Sequence, residues 1–183
     1  MRKFLTNPWV IAGGLIAAAV AFYLFRPDTL FLDDRADESL EDAFAAAAEP
    51  GGADAVTVAN TMPGMSIDLS RMRPSLGNIT GGLSGRALLP VNLAMVWKVS
   101  GRVSIPIVGC GGIATSGDAL EYIAAGATAV QVGTAIFRDP GTPARIAQGL
   151  AEQLRSRCLT GIDQCVGLAR RESKVWKTAA GRG

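Results

Sequence analysis

The sequence predicts an α/β chain: the C-terminal half of a TIM (β/α)8 barrel, preceded by an N-terminal hydrophobic helix. Three observations carry this. Short apolar runs alternate with amphipathic stretches from Ala53 onward, in units of ~30 residues. Each run ends in glycine or a small polar residue: Ala55–Ala59 in Asn60-Thr61, Ile105–Val108 in Gly109-Cys110-Gly111-Gly112-Ile113, and Ala129–Val132 in Gly133-Thr134. The chain of 183 residues also falls short of the ~250 that a complete barrel takes. Short runs rich in β-branched residues read as buried parallel strands that deliver their C-terminal loops to one active face. Glycine in those loops lets a bound phosphate meet backbone N–H groups with no Cβ in the way.

The elements follow in order. Pro8 to Phe25 carries no charge, and as a helix it would span ~27 Å, close to the ~30 Å of a bilayer core. Trp9 and Tyr23 suit the two interfaces, while Arg2 and Lys3 ahead of it and Ala19-Val20-Ala21 within it also suit a cleaved signal. Residues 1–26 are therefore a membrane anchor or signal segment, with the orientation undecided because the flanking charges balance. Residues 27–52 form an acidic, alanine-rich linker in which Glu41 to Ala48 is a candidate helix stopped by Pro50-Gly51-Gly52. Residues 53–170 are the half-barrel. Within it, Pro90 opens a mostly apolar helix over Val91–Ser100 that Gly101 closes. Thr115 and Asp118 have capping-box spacing for a helix that stops at Gly126, and Pro143–Leu154 is amphipathic. Residues 171–183 are a basic tail.

Composition narrows the chemistry. A net charge of +2 favours no polyanionic partner, although its distribution is uneven. Nine acidic residues oppose Arg26 and Arg35 between Arg26 and Asp54, and seven Lys/Arg oppose three acids from Leu150 on. The basic end lacks any RNA-binding signature and reads as a solvated helix and tail, so no nucleic acid is expected. Histidine is absent, which excludes His-based acid/base work, Ser-His-Asp triads and His-ligated metals within this chain. Cys110, Cys158 and Cys165 lack metal-ligand spacing, so no metal is expected either.

Asn60-Thr61-x-x-Gly64-Met65-x-x-Asp68, the run Gly81-Gly82-Leu83-Ser84-Gly85, Ile105-Pro106 leading to Gly111-Gly112, and Gly126-Ala127 leading to Gln131-Val132-Gly133-Thr134 carry a further reading. Together, over roughly Glu41 to Arg170, they resemble the C-terminal half of class 1 dihydroorotate dehydrogenase. The likeness is to the NAD-linked branch, whose FMN-binding catalytic subunit passes electrons to a partner. No single motif is decisive, since glycine pairs after the last barrel strands recur in many phosphate-binding barrels; the ordered set is what is specific.

The resemblance implies oxidation of dihydroorotate to orotate in de novo pyrimidine synthesis, with FMN as cofactor. It implies that Asn60 and Thr61 hold the substrate, an asparagine amide offering a donor and an acceptor to a cyclic ureide. It implies that Ala59 lies against the flavin ring, that Gly85 holds FMN, and that Gly111, Gly112, Gly133 and Thr134 grip its phosphate. The loops after strands seven and eight are the usual phosphate seat of such barrels. Cys110 lies in the phosphate-loop run but does not match the family's catalytic base and reads as a small spacer. In the family that base, a flavin-contacting lysine and further substrate asparagines come from the N-terminal half, and nothing upstream of Ala53 matches them. No catalytic residue is therefore assigned, and an enzyme acting as a single chain is left open.

Three parallel strands would also leave an open sheet edge on each side. The expected partners are dihydroorotate or orotate, a second copy or another chain supplying the other half-barrel, an electron-transfer subunit, and a membrane. The alternatives are a non-catalytic, membrane-tethered FMN- or phosphate-binding remnant, or another flavin barrel acting on pyrimidines. The family is cytoplasmic, whereas the N-terminal segment points to a membrane.

Overall fold

The structure, a computed structural model, describes residues 45–173. The N-terminal apolar segment, most of the acidic linker and all but the start of the basic tail lie outside them. So do the expectations of an anchor or signal and of membrane attachment. Among the described residues no helix is long and apolar enough to cross a membrane.

The framework is a three-stranded parallel sheet of β1 (Val56–Val58), β6 (Ile107–Cys110) and β7 (Ala129–Gln131), with β6 in the centre. Val58 sits opposite Gly109, and Cys110 opposite Gln131. This register brings all three C-terminal ends to one side. The connections are helical. Helix α1 (Leu89–Val99), entered through a 3-10 turn at Arg86–Leu88, precedes β6, and α2 (Ser116–Ala125) joins β6 to β7. Beyond β7 come a single turn, α3 (Ala135–Arg138), and α4 (Thr142–Ser156).

Local chemistry accounts for the helix limits. Pro lies in the first turn of both α1 and α4, where its missing N–H costs nothing. The predicted capping box of α2 is present: the Thr115 hydroxyl accepts from the Asp118 N–H, and the Asp118 carboxylate accepts from the Thr115 N–H. Gly126 ends α2 at φ +129°, where a Cβ would lie 2.5 Å from Ser100 Cβ. Helix α1 ends one residue before the predicted Ser100, and α4 runs from Thr142 to Ser156, slightly longer than predicted. Residues 45–48 are helical and turn at 49–52, as the Pro50-Gly51-Gly52 stop requires.

The core forms where α1 and α2 pack on the sheet and α4 packs against α2. Val96, Val99, Ala119 and Tyr122 are wholly buried there, with Ile107, Ile113, Ile123 and Ile146 around them. Glycine in mid-strand makes room for the largest of these. A Cβ on Gly109 would lie 2.4 Å from Tyr122 Cδ1, so the ring rests on the strand itself. Its hydroxyl donates to the Gly111 carbonyl at 2.7 Å. Gly149 similarly lets α4 close on Ser116 of α2. After α4, Arg170 lies over the Trp97 ring, 5.2 Å from its centroid, and donates to the Trp97 carbonyl and to Ser100 Oγ.

Two expectations are corrected here. Only β6 is a buried strand: Thr57 of β1 and both Ala129 and Gln131 of β7 are exposed, because among the described residues β1 and β7 have a strand neighbour on one edge only. The stretch after Thr61, to which the sequence assigned no strand, is a paired excursion from the sheet. In it β2 (Met62–Gly64) pairs antiparallel with β5 (Gly81–Leu83), and β3 (Ile67–Asp68) with β4 (Arg73–Pro74). Asp68 shapes the turn between the last two by accepting from the Ser70 and Arg71 N–H groups. Gly64, Gly81 and Gly82 are ladder residues.

Candidate functional site

All eight residues singled out from the sequence line one cavity of about 550 Å³ at the C-terminal side of the sheet. Ala59, Asn60 and Thr61 arrive from β1, Gly111 and Gly112 from β6, Gly133 and Thr134 from β7, and Gly85 from the end of the excursion. The size is in the range that holds a small cofactor. Gly85 bends at φ +105° and faces Thr134, its would-be Cβ 4.0 Å from Thr134 Cγ2, which brings the excursion back to the last strand.

Asn60 and Thr61 are ordered by their own hydrogen bonds. Asn60 Oδ1 accepts from the Thr61 N–H at 2.8 Å and from the Thr61 hydroxyl at 3.4 Å. The amide thus engages its acceptor with its neighbour and keeps its Nδ2 donor to offer. Thr61 is backed by Gly82, where a Cβ would lie 2.3 Å from Thr61 Oγ1.

The glycines expected to hold a phosphate also answer to local geometry. Gly111 has φ +123°, and its Cβ would lie 2.1 Å from Asn92 Nδ2. Gly112 has φ +73°, and its Cβ would lie 2.6 Å from the Leu89 nitrogen at the start of α1. Backbone conformation and the approach of α1 each require glycine at both positions. At Gly133 a Cβ meets nothing within 4 Å and would project into open space. Among the described residues the N–H groups of Gly112, Gly133 and Thr134 have no backbone acceptor. These are donors suited to an anion. At the entry to α2, by contrast, some of the donors are engaged. Asp118 accepts there from the N–H groups of Ala114 and Thr115 and from the Arg86 guanidinium at 2.9 Å.

Charge at the cavity is positive. Arg86, Arg138 and Arg145 line it with a single carboxylate, Asp139, which pairs with Arg145. Burial alone would raise the Asp118 carboxyl, but the Ala114 N–H, the Thr115 hydroxyl and N–H, and Arg86 together hold it below the ordinary value. Cys110 is half-buried on the cavity wall, and burial pushes its thiol up, away from the thiolate a base would need. Hydrogen bonds from Arg145 and from the Gly141 N–H lower Asp139. Cys158 is exposed, Cys165 is buried, and both are free thiols.

Sequence reasoning missed Asn92, Arg86 and Tyr122, each of which acts on the site through contacts distant in sequence. The only local signal was for Asn92, a polar residue within an otherwise apolar helix.

Comparison with known proteins gives a consistent result. The profile of the dihydroorotate dehydrogenase family matches residues 34–154. The catalytic subunit of dihydroorotate dehydrogenase B (NAD(+)) from Trichlorobacter lovleyi is 53% identical over 123 residues, covering 67% of this chain and 40% of that protein. The same subunit from Geobacter sulfurreducens is 44% identical over 152 residues, covering 83% of this chain and 49% of the relative. The chain thus spans less than half the length of these curated relatives. Among solved structures, that of the Eimeria tenella enzyme DHODH in complex with ferulenol matches 72% of this chain and 35% of its own, at 31% identity and a TM-score of 0.56.

Proposed function

The chain belongs to the dihydroorotate dehydrogenase family, and we propose that it supplies the phosphate-gripping and part of the substrate-facing wall of an FMN-dependent dihydroorotate-oxidising site. The observation that carries this is the convergence of the three strand ends, read independently from sequence, on a single positively charged cavity. Its residues fit FMN. The N–H groups of Gly112, Gly133 and Thr134 would hold the phosphate, Ala59 would flank the ring, and Gly85 would close the side facing Thr134. When bound, FMN supplies the hydride acceptor. The chain's own contribution is position: Asn60 Nδ2 donates to the substrate, with Thr61 fixed beside it by Gly82.

Removing a hydride from dihydroorotate also requires a base for the neighbouring proton. No described lining group is set up for that, which favours a second reading alongside the first: binding without turnover by the chain alone. We propose that the remaining walls come from another chain or a second copy, and that an electron-transfer subunit works with the assembled site, as the relatives' description as catalytic subunits suggests. The stretch from Pro8 to Phe25 is proposed as a membrane tether or signal, to be tested by whether the full chain stays with membranes after a carbonate wash.

Flavin fluorescence titration of the full chain tests the central proposal. FMN is expected to bind more weakly than ~1 μM, a free energy no better than about −8 kcal/mol, because part of the ring's surroundings is missing. Gly133→Val is the decisive variant, since its side chain enters the cavity without meeting the protein. It should keep the wild-type melting temperature and lose FMN. Equal affinity in wild type and Gly133→Val would show that these loops do not hold a phosphate. Steady formation of orotate by the chain with added FMN and a dye would restore a complete enzyme.

A further inference from the structure

Asn92, on the inner side of α1, is 1% exposed and lines the cavity. Its Nδ2 donates to the Cys110 carbonyl at 2.9 Å and lies 3.4 Å from the Asn60 carbonyl. Two carbonyl acceptors on one side settle which end of the amide is nitrogen. They also tie the end of β1 to the end of β6, the substrate side of the cavity to the phosphate side. The other end of the amide is different. Asn92 Oδ1 is buried and has no hydrogen-bond partner. Thr142, the other buried polar residue on the cavity wall, donates its hydroxyl to the Asp139 carbonyl and has no such deficit. An unpaired buried acceptor costs about 1–3 kcal/mol, so a donor that reached it would be bound with a corresponding gain.

The chemistry of that donor can be narrowed. A phosphate dianion has only acceptors and cannot serve Asn92 Oδ1. An isoalloxazine ring has one N–H, on its pyrimidine edge, and is otherwise acceptor or apolar. The hydroxylated chain between ring and phosphate is the part of FMN rich in donors. Asn92 stands between Asn60, on the ring side, and Cys110, which leads into the phosphate loop.

We propose that Asn92 is a ligand-positioning residue whose Oδ1 accepts a hydrogen bond from a hydroxyl of the sugar-alcohol chain of the bound flavin nucleotide. The proposal rests on the FMN reading of the cavity and adds to it a contact with the linker, made by a side chain, where the phosphate grip is made by backbone. It also gives Gly111 a second purpose: with any larger residue there, Asn92 would be displaced from both carbonyls and from the linker.

The test compares riboflavin, which has the hydroxylated chain, with lumiflavin, which has a methyl group in its place. Both are titrated against the full-length wild type and Asn92→Ala by flavin fluorescence. Wild type should prefer riboflavin over lumiflavin by about tenfold or more, and Asn92→Ala should erase most of that preference, weakening riboflavin several-fold more than lumiflavin. A purely structural role would weaken both ligands alike, and that result overturns the proposal. Should Asn92→Ala not fold, the wild-type ratio decides: equal affinities for the two flavins overturn it, a preference for riboflavin supports it. Wild type that binds no flavin, FMN included, overturns the FMN reading and this proposal together. Wild type that binds FMN but does not distinguish riboflavin from lumiflavin overturns only the role of Asn92.

Discussion

Helices α1 and α2, backed by α4, bury Val96, Val99, Ala119 and Tyr122, whereas the excursion between β2 and β5 leaves Leu69, Met72 and Ile79 more than half exposed. Met65, Ile67, Leu76 and Leu83 add to the uncovered apolar surface of the same excursion. The helical side closes its hydrophobic surface with its own residues. The excursion is held by short ladders and one aspartate-centred turn, and its apolar side chains have little of the described chain to pack on. Exposed apolar residues gathered in one segment suit an interaction face. The two regions differ in where the apolar side chains find cover. The helical side should behave as a domain core, and the excursion as half of an interface.

The comparison is broken most severely at Tyr122. Tyr122→Ala should cost about 3–5 kcal/mol, comparable to the whole stability of a small domain, and thermal denaturation should show no cooperative transition. Retention of a wild-type melt would mean that the core is not organised around that ring. Gly112→Ala should cost about 1–3 kcal/mol, since it forces a side chain into φ +73° and against the Leu89 backbone, and FMN binding should fall with it.

Next comes Asp118, whose carboxyl is held below its ordinary value in the folded state. Its contribution to stability is therefore complete above the unfolded carboxyl value of ~4 and is lost as pH falls through the folded one. Asp118→Asn should lower the melting temperature at neutral pH and flatten its decline in acid; an unchanged acid limb would place the titrating group elsewhere. The smallest effect on stability should come from the excursion. Leu69→Ser with Met72→Ser should change stability by no more than about 0.5 kcal/mol, yet shift the full chain towards smaller species in size-exclusion chromatography. If wild type is already monomeric, the excursion is not an interface between copies.

Much of this arrangement was legible in the residues. The three strands, the capping box at Thr115 and Asp118, the stop at Gly126 and the loops at Asn60, Gly111 and Gly133 are all local patterns, and local patterns survive reading one segment at a time. What escaped was non-local. Gly109 looks like part of a phosphate loop until Tyr122 is known to lie on it. Gly111 and Gly112 carry a requirement from α1 that no local pattern shows. The pairing of Met62–Gly64 with Gly81–Leu83 was hidden by proline and glycine, which advertise turns rather than strands. Exposure of the outer strands could not be read at all, because a β-branched run looks the same whether or not a neighbour covers it.

The strand order also orders events in time. Strands β6 and β7 are joined by α2 alone, so Gly109 and Val130 can meet by closing one short loop. Strand β1 reaches β6 only after the excursion and all of α1 have been laid between them. Loop closure of that kind is slower and costs more chain entropy. The unit of β6, α2 and β7 should therefore assemble first during refolding, with Gly111, Gly112, Gly133 and Thr134 already in place. Asn60 and Thr61 should arrive last, when Asn92 finds their strand.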